Sequence, residues 1–435
     1  MSSPRKARFP GRTLIALCAF GLIPAGLARA QSRFELTPSL WLSQEYDSDV
    51  LHDERREESD LITRVRPQLG LAQEAEWGHA RLDLSLERRM YQDLDEFDAT
   101  DWTAVWDGER EITQRLRLLS SVRYELFENQ DAVTEGSQTI VEGRPDQRAR
   151  ALAGGLRYAL SPASSLELRA GFDDRDYSLD GLRPANSRRD RDTRYGILGY
   201  RQMLGPRDEV GLQLTAARTD FENIGAGDVQ DDILSFRGSW TRTWNPRWAS
   251  SLNAGLRSLN SETLSGSDRS VGFVGGAELT RSFRRGSLRL AYDRQTRPSS
   301  GLGTSLDQDI VTAELRTRMS DRVTLRLDAE LSRLRSASET LARVAFPFSN
   351  PGLCLPGSLG VSGSLLSCVV STDEEIDIDS RRFGAELSWR VRKRWNTFVS
   401  YRFSKQSSSG DRRLSDFDSH RVMIGFRVAR PVSLR

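Results

Sequence analysis

Side chains able to do acid–base or nucleophilic chemistry are few in this sequence. Three histidines, His52, His79 and His420, are scattered over 435 residues, and histidine is the side chain that titrates near neutrality. His79 stands beside a short turn, where water takes it. His52 lies in a long polar link near the start and His420 in the last strand-like repeat. Closure of a sheet on itself would bring those two together with Asp47, Asp49 or Asp418. No nucleophile is singled out beside that set, so the chain is expected to be non-enzymatic and to have no catalytic residue. The acidic residues Asp47, Asp49, Asp53 and the stretch from Asp373 to Asp379 lack the glycine and spacing of an EF-hand and are expected to be solvated. No phosphate loop, zinc spacing or haem motif occurs, so neither a metal nor a cofactor is expected.

Residues 1–30 read as an address. Arg5, Lys6, Arg8 and Arg12 precede the apolar run Leu14 to Leu27, and Ala28-Arg29-Ala30 has the small-x-small form of a signal-peptidase site, which is the pattern of a cleaved secretory signal. Cys18 follows Leu17 rather than a small residue, so lipid anchoring is not expected. Two cysteines then remain in the mature chain of residues 31–435. Cys354 and Cys368 flank a Gly/Ser-rich stretch, and in an oxidising compartment they are expected to pair.

Removing the five basic residues of the leader leaves 58 basic against 61 acidic side chains, a net charge of −3. That balance gives no electrostatic footprint for nucleic acid. The hydrophobic fraction is 37% and the mean hydropathy −0.52, which excludes a bundle of membrane helices. Yet 9 Trp, 9 Tyr and 17 Phe are spread along the chain, and disordered chains are poor in such residues. Only Lys6, Lys393 and Lys405 are lysines, so nearly all positive charge is arginine.

The elements that must position these residues repeat one grammar. From Phe34 onward apolar and polar residues alternate in runs of about ten, the period of a β-strand. Leu82, Leu84 and Leu86 oppose Arg81, Asp83 and Glu87. Leu166, Leu168 and Phe172 follow the same pattern, as do Val323, Leu325, Leu327 and Leu331, and finally Val422, Ile424, Phe426 and Val428. Short links such as Glu76 to His79, Ser161 to Ser164 and Arg392 to Arg394 alternate with long polar ones. The long ones include Asp47 to Ser59, Glu128 to Gln147, Asn260 to Arg269, Asp293 to Gln308 and Ser336 to Arg381. This predicts an all-β, antiparallel transmembrane barrel of about 18 strands (16 to 18), with short periplasmic turns, long extracellular loops and both termini periplasmic. Strands of 9 to 11 residues suffice to cross the bilayer. Two aromatic girdles are expected, with Trp77, Trp244, Trp248, Phe283 and Trp395 near the short turns. Tyr46, Tyr91, Phe127, Tyr177, Phe221 and Tyr292 are expected to form the second, near the long loops. The tail beyond Phe426 is expected either to hang in the periplasm or to leave that internal aromatic as the assembly signal.

With the apolar set facing outer-membrane lipid and lipopolysaccharide, the opposite set faces the lumen. It comprises Arg64, Arg66, Arg81, Asp83, Glu87, Arg117, Arg123, Glu125, Glu167, Arg169, Glu314, Arg316, Arg326, Asp328, Glu330, Glu386 and Arg390. The two signs interleave, as cross-strand bracing or a path for a polar polymer would require, and neither dominates as an anion-selective pore would need.

The opening residues carry a resemblance. Leu36-Thr37-Pro38-Ser39-Leu40, then Glu45-Tyr46-Asp47-Ser48-Asp49-Val50, then Ser59-Asp60-Leu61-Ile62-Thr63-Arg64-Val65-Arg66-Pro67 resemble the start of a β-barrel porin family associated with exopolysaccharide synthesis loci. Within it the likeness is to the PEP-CTERM-system-associated outer membrane proteins, which usually have Asn where Asp49 stands. The resemblance implies an outer-membrane channel for export of a surface polysaccharide, with that polymer and periplasmic export components as partners. The alternatives from the residues alone are a general diffusion porin for small solutes, or an adhesin or enzyme acting through the long loops.

Overall fold

A computed structural model describes residues 32–52, 57–128, 133–135, 138–140, 146–178, 190–222, 229–263, 266–299, 304–336, 359–362, 365–368, 376–410 and 416–434. The leader and the Cys354–Cys368 pairing lie outside the described residues. The alternating runs become eighteen long strands: β1 Arg33–Asp47, β2 Asp60–Ala75, β3 Gly78–Tyr91, β4 Ala99–Thr113, β5 Leu116–Phe127 and β6 Asp146–Ser161. They continue as β7 Ser164–Ser178, β8 Arg191–Met203, β9 Asp208–Phe221, β10 Val229–Asn245, β11 Trp248–Thr263 and β12 Gly266–Phe283. The last six are β13 Gly286–Ser299, β14 Thr304–Arg318, β15 Val323–Ser336, β16 Ile376–Arg392, β17 Trp395–Gly410 and β18 Phe417–Ala429.

Each strand pairs antiparallel with the next, and β1 pairs with β18 from Ser39↔Ala429 to Asp47↔Arg421, so the sheet closes. Closure removes the edges that would otherwise recruit other strands. The tail does not hang free. After a break at Arg430, Val432–Leu434 returns to the ladder and pairs with Leu36, Glu35 and Phe34 of β1, because its N–H and C=O groups find the rest of that strand unoccupied.

Two features of the ladder depart from expectation. The strands run 12 to 18 residues, longer than the bilayer alone requires. As a result the stretch expected as a long link from Asn260 to Arg269 is mostly strand, paired through Asn260↔Arg269 and Thr263↔Gly266. The stretch from Asp293 to Gln308 is likewise mostly a paired hairpin. Polar residues continue the pairing there because cross-strand partners satisfy them, as in the Arg218–Asp232 pair of β9 and β10 at 2.7 Å.

Contacts between strands that are not neighbours identify the inner face. Ser305 Oγ of β14 donates to Asp231 Oδ2 of β10 at 2.5 Å, Arg257 of β11 reaches both carboxylate oxygens of Asp307 at 2.9 Å, and Arg191 of β8 donates to the Pro298 carbonyl at 2.7 Å. The β12–β13 ladder stops at Gly275↔Arg294 although β12 continues to Gly266. The end of the β13–β14 hairpin therefore leaves the wall and turns into the barrel.

Leu152, Leu168, Leu234, Leu256 and Ile424 stand on the opposite, outer face and are exposed, as lipid contact allows. At the short-turn end the first expected girdle is present. Arg242, Arg281 and Arg392 stack over Trp244, Trp248 and Trp395, and Arg110 over Trp77, with guanidinium to ring-centre distances of 4.5 to 5.6 Å. Planar guanidinium suits such stacking better than ammonium. Gly78 closes the first of these turns with φ +151°, and a Cβ there would strike the Glu109 carbonyl.

The second girdle needs correction. Tyr46 and Tyr292 do face outward, but Tyr91, Phe127, Tyr177 and Phe221 alternate onto the inner face, where Phe221 is 0% and Tyr91 5% exposed. Their position along the strand is near the loops as expected. Parity puts them inside.

Candidate functional site

The long-loop end of the barrel holds a set of inner-face charges that the first and last strands build together. Val50, just beyond β1, packs on Ile62 of β2 and Tyr91 of β3, with Leu94 and Phe97 against them. That apolar cluster draws the start of the first long link inward over the lumen. His52 follows in a left-handed conformation, φ 49° and 2% exposed, which its Asx-type bond to Asp49 supports: the His52 N–H donates to Asp49 Oδ1 at 2.9 Å. The His52 ring meets Phe417 edge-on at 4.7 Å, and Arg421 Nη2 donates to His52 Nε2 at 2.7 Å. Arginine has no acceptor, so this bond fixes Nε2 as the bare nitrogen.

The expected rim of His52 and His420 is not assembled. His420 alternates outward, where it shares a 2.8 Å hydrogen bond with Tyr401 and lies against Phe403. Asp418 is also outside, 3.8 Å from Lys405. Asp47 is inside, bonded to Ser419 at 2.8 Å and to Arg421 at 2.7 Å. Sequence distance from a loop does not reveal which side of the wall a residue occupies; one step of parity separates His420 from Arg421. Nor are Asp47 and Asp49 solvated, since both are buried and bonded to the protein. Asp53 and residues 373–375 lie outside the described residues.

Beneath this cover lies a cavity of about 730 Å³. Arg64, Arg66, Glu87, Asp328 and Glu330, five of the expected lumen residues, border it. Arg64 bridges Glu45 at 3.0 Å and Glu87 at 3.1 Å, and Arg66 takes the other oxygen of Glu87. Arg382 stands 4.0 Å from Glu330. On the neighbouring wall Arg89 pairs with Asp101 at 3.2 Å and donates to the Glu128 carbonyl at 2.8 Å.

The remaining expected residues alternate onto the same inner face, Arg123 and Glu125 in the loop-side half of β5 and the others nearer the short turns. Arg81 pairs with Asp83 at 2.5 Å, Arg117 with Glu109 at 2.8 Å, and Glu167 with Arg157 at 2.9 Å. Arg123 lies 3.9 Å from Glu125, and Arg326 3.2 Å from Glu314. Arg169 passes over Gly155 to donate to Ser121 at 3.0 Å. Glu386 and Arg316 stand opposite Arg326 in the ladders on either side, and Arg390 donates to the Asp321 carbonyl at 3.2 Å. Chemically this wall offers guanidinium donors and carboxylate acceptors in alternation. Among the described residues no group of His, Cys, Asp and Glu is arranged to hold a metal.

Several inner-face residues were missed. Arg89, Arg382, Arg402 and Arg421 all border the cavity, and each stands one step from an apolar residue of the outer set, so alternation was enough to find them. Trp41 is the other. It alternates inward, meets Phe398 edge-on at 5.3 Å and carries Arg66 over its ring at 4.8 Å.

Among solved structures the chain is similar in barrel architecture to the alcaligin outer membrane receptor FauA from Bordetella pertussis, at 12% identity. That match covers 93% of this chain and 77% of that one, with TM-score 0.43. It is similar to OccK2 (OpdF) of Pseudomonas aeruginosa at 13% identity, covering 93% and 98%, with TM-score 0.42. The siderophore receptor PirA of Pseudomonas aeruginosa matches at 9% identity, covering 93% and 81%, with TM-score 0.44. At scores this low nothing about cargo follows, and the barrel rests on its own ladder. Curated proteins yield no match. Over residues 30–222, which hold the strands from β1 to β9, the chain matches the family described as "Putative beta-barrel porin 2", which is therefore the family it is similar to.

Proposed function

We propose that this protein is a non-enzymatic outer-membrane channel that passes exopolysaccharide to the cell surface. In this reading the long loops lie outside, both termini lie in the periplasm, and lipid and lipopolysaccharide contact the outer leucines. Periplasmic export components deliver the polymer. The observation that carries the reading is the inner wall itself. Eighteen strands enclose enough width for an aqueous path, and that path is lined by alternating guanidinium and carboxylate groups with the Trp41–Phe398 pair among them. Sugar hydroxyls bond to both kinds of charged group, and sugar C–H faces pack on aromatic rings. The match of the first nine strands to a porin family and the likeness of the opening residues to barrels of exopolysaccharide loci point the same way.

The test is an in-frame deletion, with polysaccharide assayed separately in the medium and in the periplasm. Polymer lost outside and retained inside supports export. Unchanged polymer in both fractions overturns it and leaves a general diffusion porin or a loop-borne binding protein.

A further inference from the structure

At the loop end of the wall three arginines come together on adjacent strands. Arg402 of β17 and Arg421 of β18 are directly opposite in the ladder, and Arg382 of β16 sits beside Ser404, one inner-face step above Arg402. Like charges opposite each other destabilise a sheet. Such a conflict between local energetics and the fold marks a position kept for a purpose.

The carboxylates nearby are already engaged. Asp47 is taken by Arg421, Glu330 lies beside Arg382, and Asp328 leans over Gly384, the neighbour of Arg402, while its ion contact is to Arg326 at 4.0 Å. Arg402 makes no hydrogen bond or ion pair with any described residue, is exposed, and borders the 730 Å³ cavity. Gly384 adds no side chain on that flank. The cavity as a whole is bordered by six arginines against four carboxylates.

We propose that Arg382, Arg402 and Arg421 form a lumen subsite for a carboxylate carried by the passing polymer, so that the exported glycan is an acidic, uronate-bearing one. The proposal rests on the export reading above. Guanidinium presents a planar fork that takes both oxygens of a carboxylate, and three forks on adjacent strands offer that group more than one orientation as the polymer slides. A neutral glycan would bring no anion of its own to Arg402, whereas a uronate would.

The test uses the full-length barrel in detergent micelles and titration calorimetry with oligogalacturonate and with maltohexaose. Binding of the acidic oligomer alone, weakening as salt rises, is the expected result. Arg402→Gln is expected to lower that affinity about tenfold or more, and Arg402→Lys by less, since the charge remains but the fork is lost. Equal binding of both oligomers, or binding of oligogalacturonate that Arg402→Gln leaves unchanged, overturns the subsite. Heat-modifiable migration checks that the variants are folded; should one fail, the comparison of the two oligomers on the native chain still decides. The deletion strain reports on export independently. Retained export there with acidic binding here removes the export reading alone, and lost export with no acidic preference removes the subsite alone.

Discussion

Arg421 Nε lies 2.7 Å from Asp47 Oδ2 across the ladder that joins the last strand to the first, and the same guanidinium donates to His52. One side chain thus ties barrel closure to the inward position of the first long link. The Asp47 side chain is 3% exposed and that of Arg421 24%, so the pair is shielded from water on one side.

Asp47→Asn is therefore expected to destabilise closure by about 3 kcal/mol, since removing one partner leaves a charge uncompensated. The temperature at which the folded band shifts in heat-modifiable gel migration should fall. An unchanged transition would mean that the ladder alone holds β1 to β18.

Glu87 serves two arginines at once, Arg64 and Arg66. Glu87→Gln keeps the shape but leaves Arg66 without its anion and Arg64 with Glu45 alone, at a cost of about 1–3 kcal/mol. Reversal potentials across a planar bilayer under a salt gradient should move toward anion preference. No movement would show that this wall does not border the conducting path.

Outer and inner faces should respond oppositely to charge. Leu168 is 55% exposed, opposite Leu156 and Leu198 near mid-strand, and Leu168→Arg is expected to cost about 2–4 kcal/mol in lipid. Urea unfolding from lipid vesicles measures it. A cost near zero would place this face away from the hydrocarbon.

Asp190, just before β8 and outside the spanning strands, accepts from the Tyr177 N–H at 2.7 Å, and its own carbonyl accepts from the Glu222 N–H at 3.0 Å. Burial pushes its carboxyl above the usual range; the Tyr177 bond pulls back, while the like charges of Asp176 and Asp192 push the same way as burial. A raised folded value means that the stabilisation belongs to the protonated form. It is fully present below the unfolded value of about 3.9 and is lost as pH rises through the folded one. Hydrogen exchange at the Tyr177 and Glu222 amides, corrected for intrinsic rates, should show less protection at neutral than at acid pH, and Asp190→Asn should flatten that dependence. The opposite trend would mean that the N–H bond outweighs burial.

Much of this molecule was legible as pattern. Alternation at Leu82, Leu84 and Leu86 against Arg81, Asp83 and Glu87 encodes a two-faced strand, because successive side chains in extended backbone point to opposite sides. Repetition of that pattern with short and long links encodes a closed antiparallel sheet, since every apolar face must be covered by something and lipid is the cover that needs no further chain. The inner position of Arg402 follows from the same rule.

Other features needed the closed wall. Tyr91 and Phe221 sit where a girdle residue would, yet point inward, and His420 and Arg421 part company across one peptide bond. The turn of Pro298 and Ser305 into the lumen depends on where the β12–β13 ladder ends and on Arg191 and Asp231, residues on strands far along the chain. So does the clustering of Arg382, Arg402 and Arg421 beside Asp47. Local alternation determines the face of each residue because it is a property of two neighbouring peptides. Which charges meet inside is decided by register and closure, which join residues hundreds of positions apart and leave no local trace.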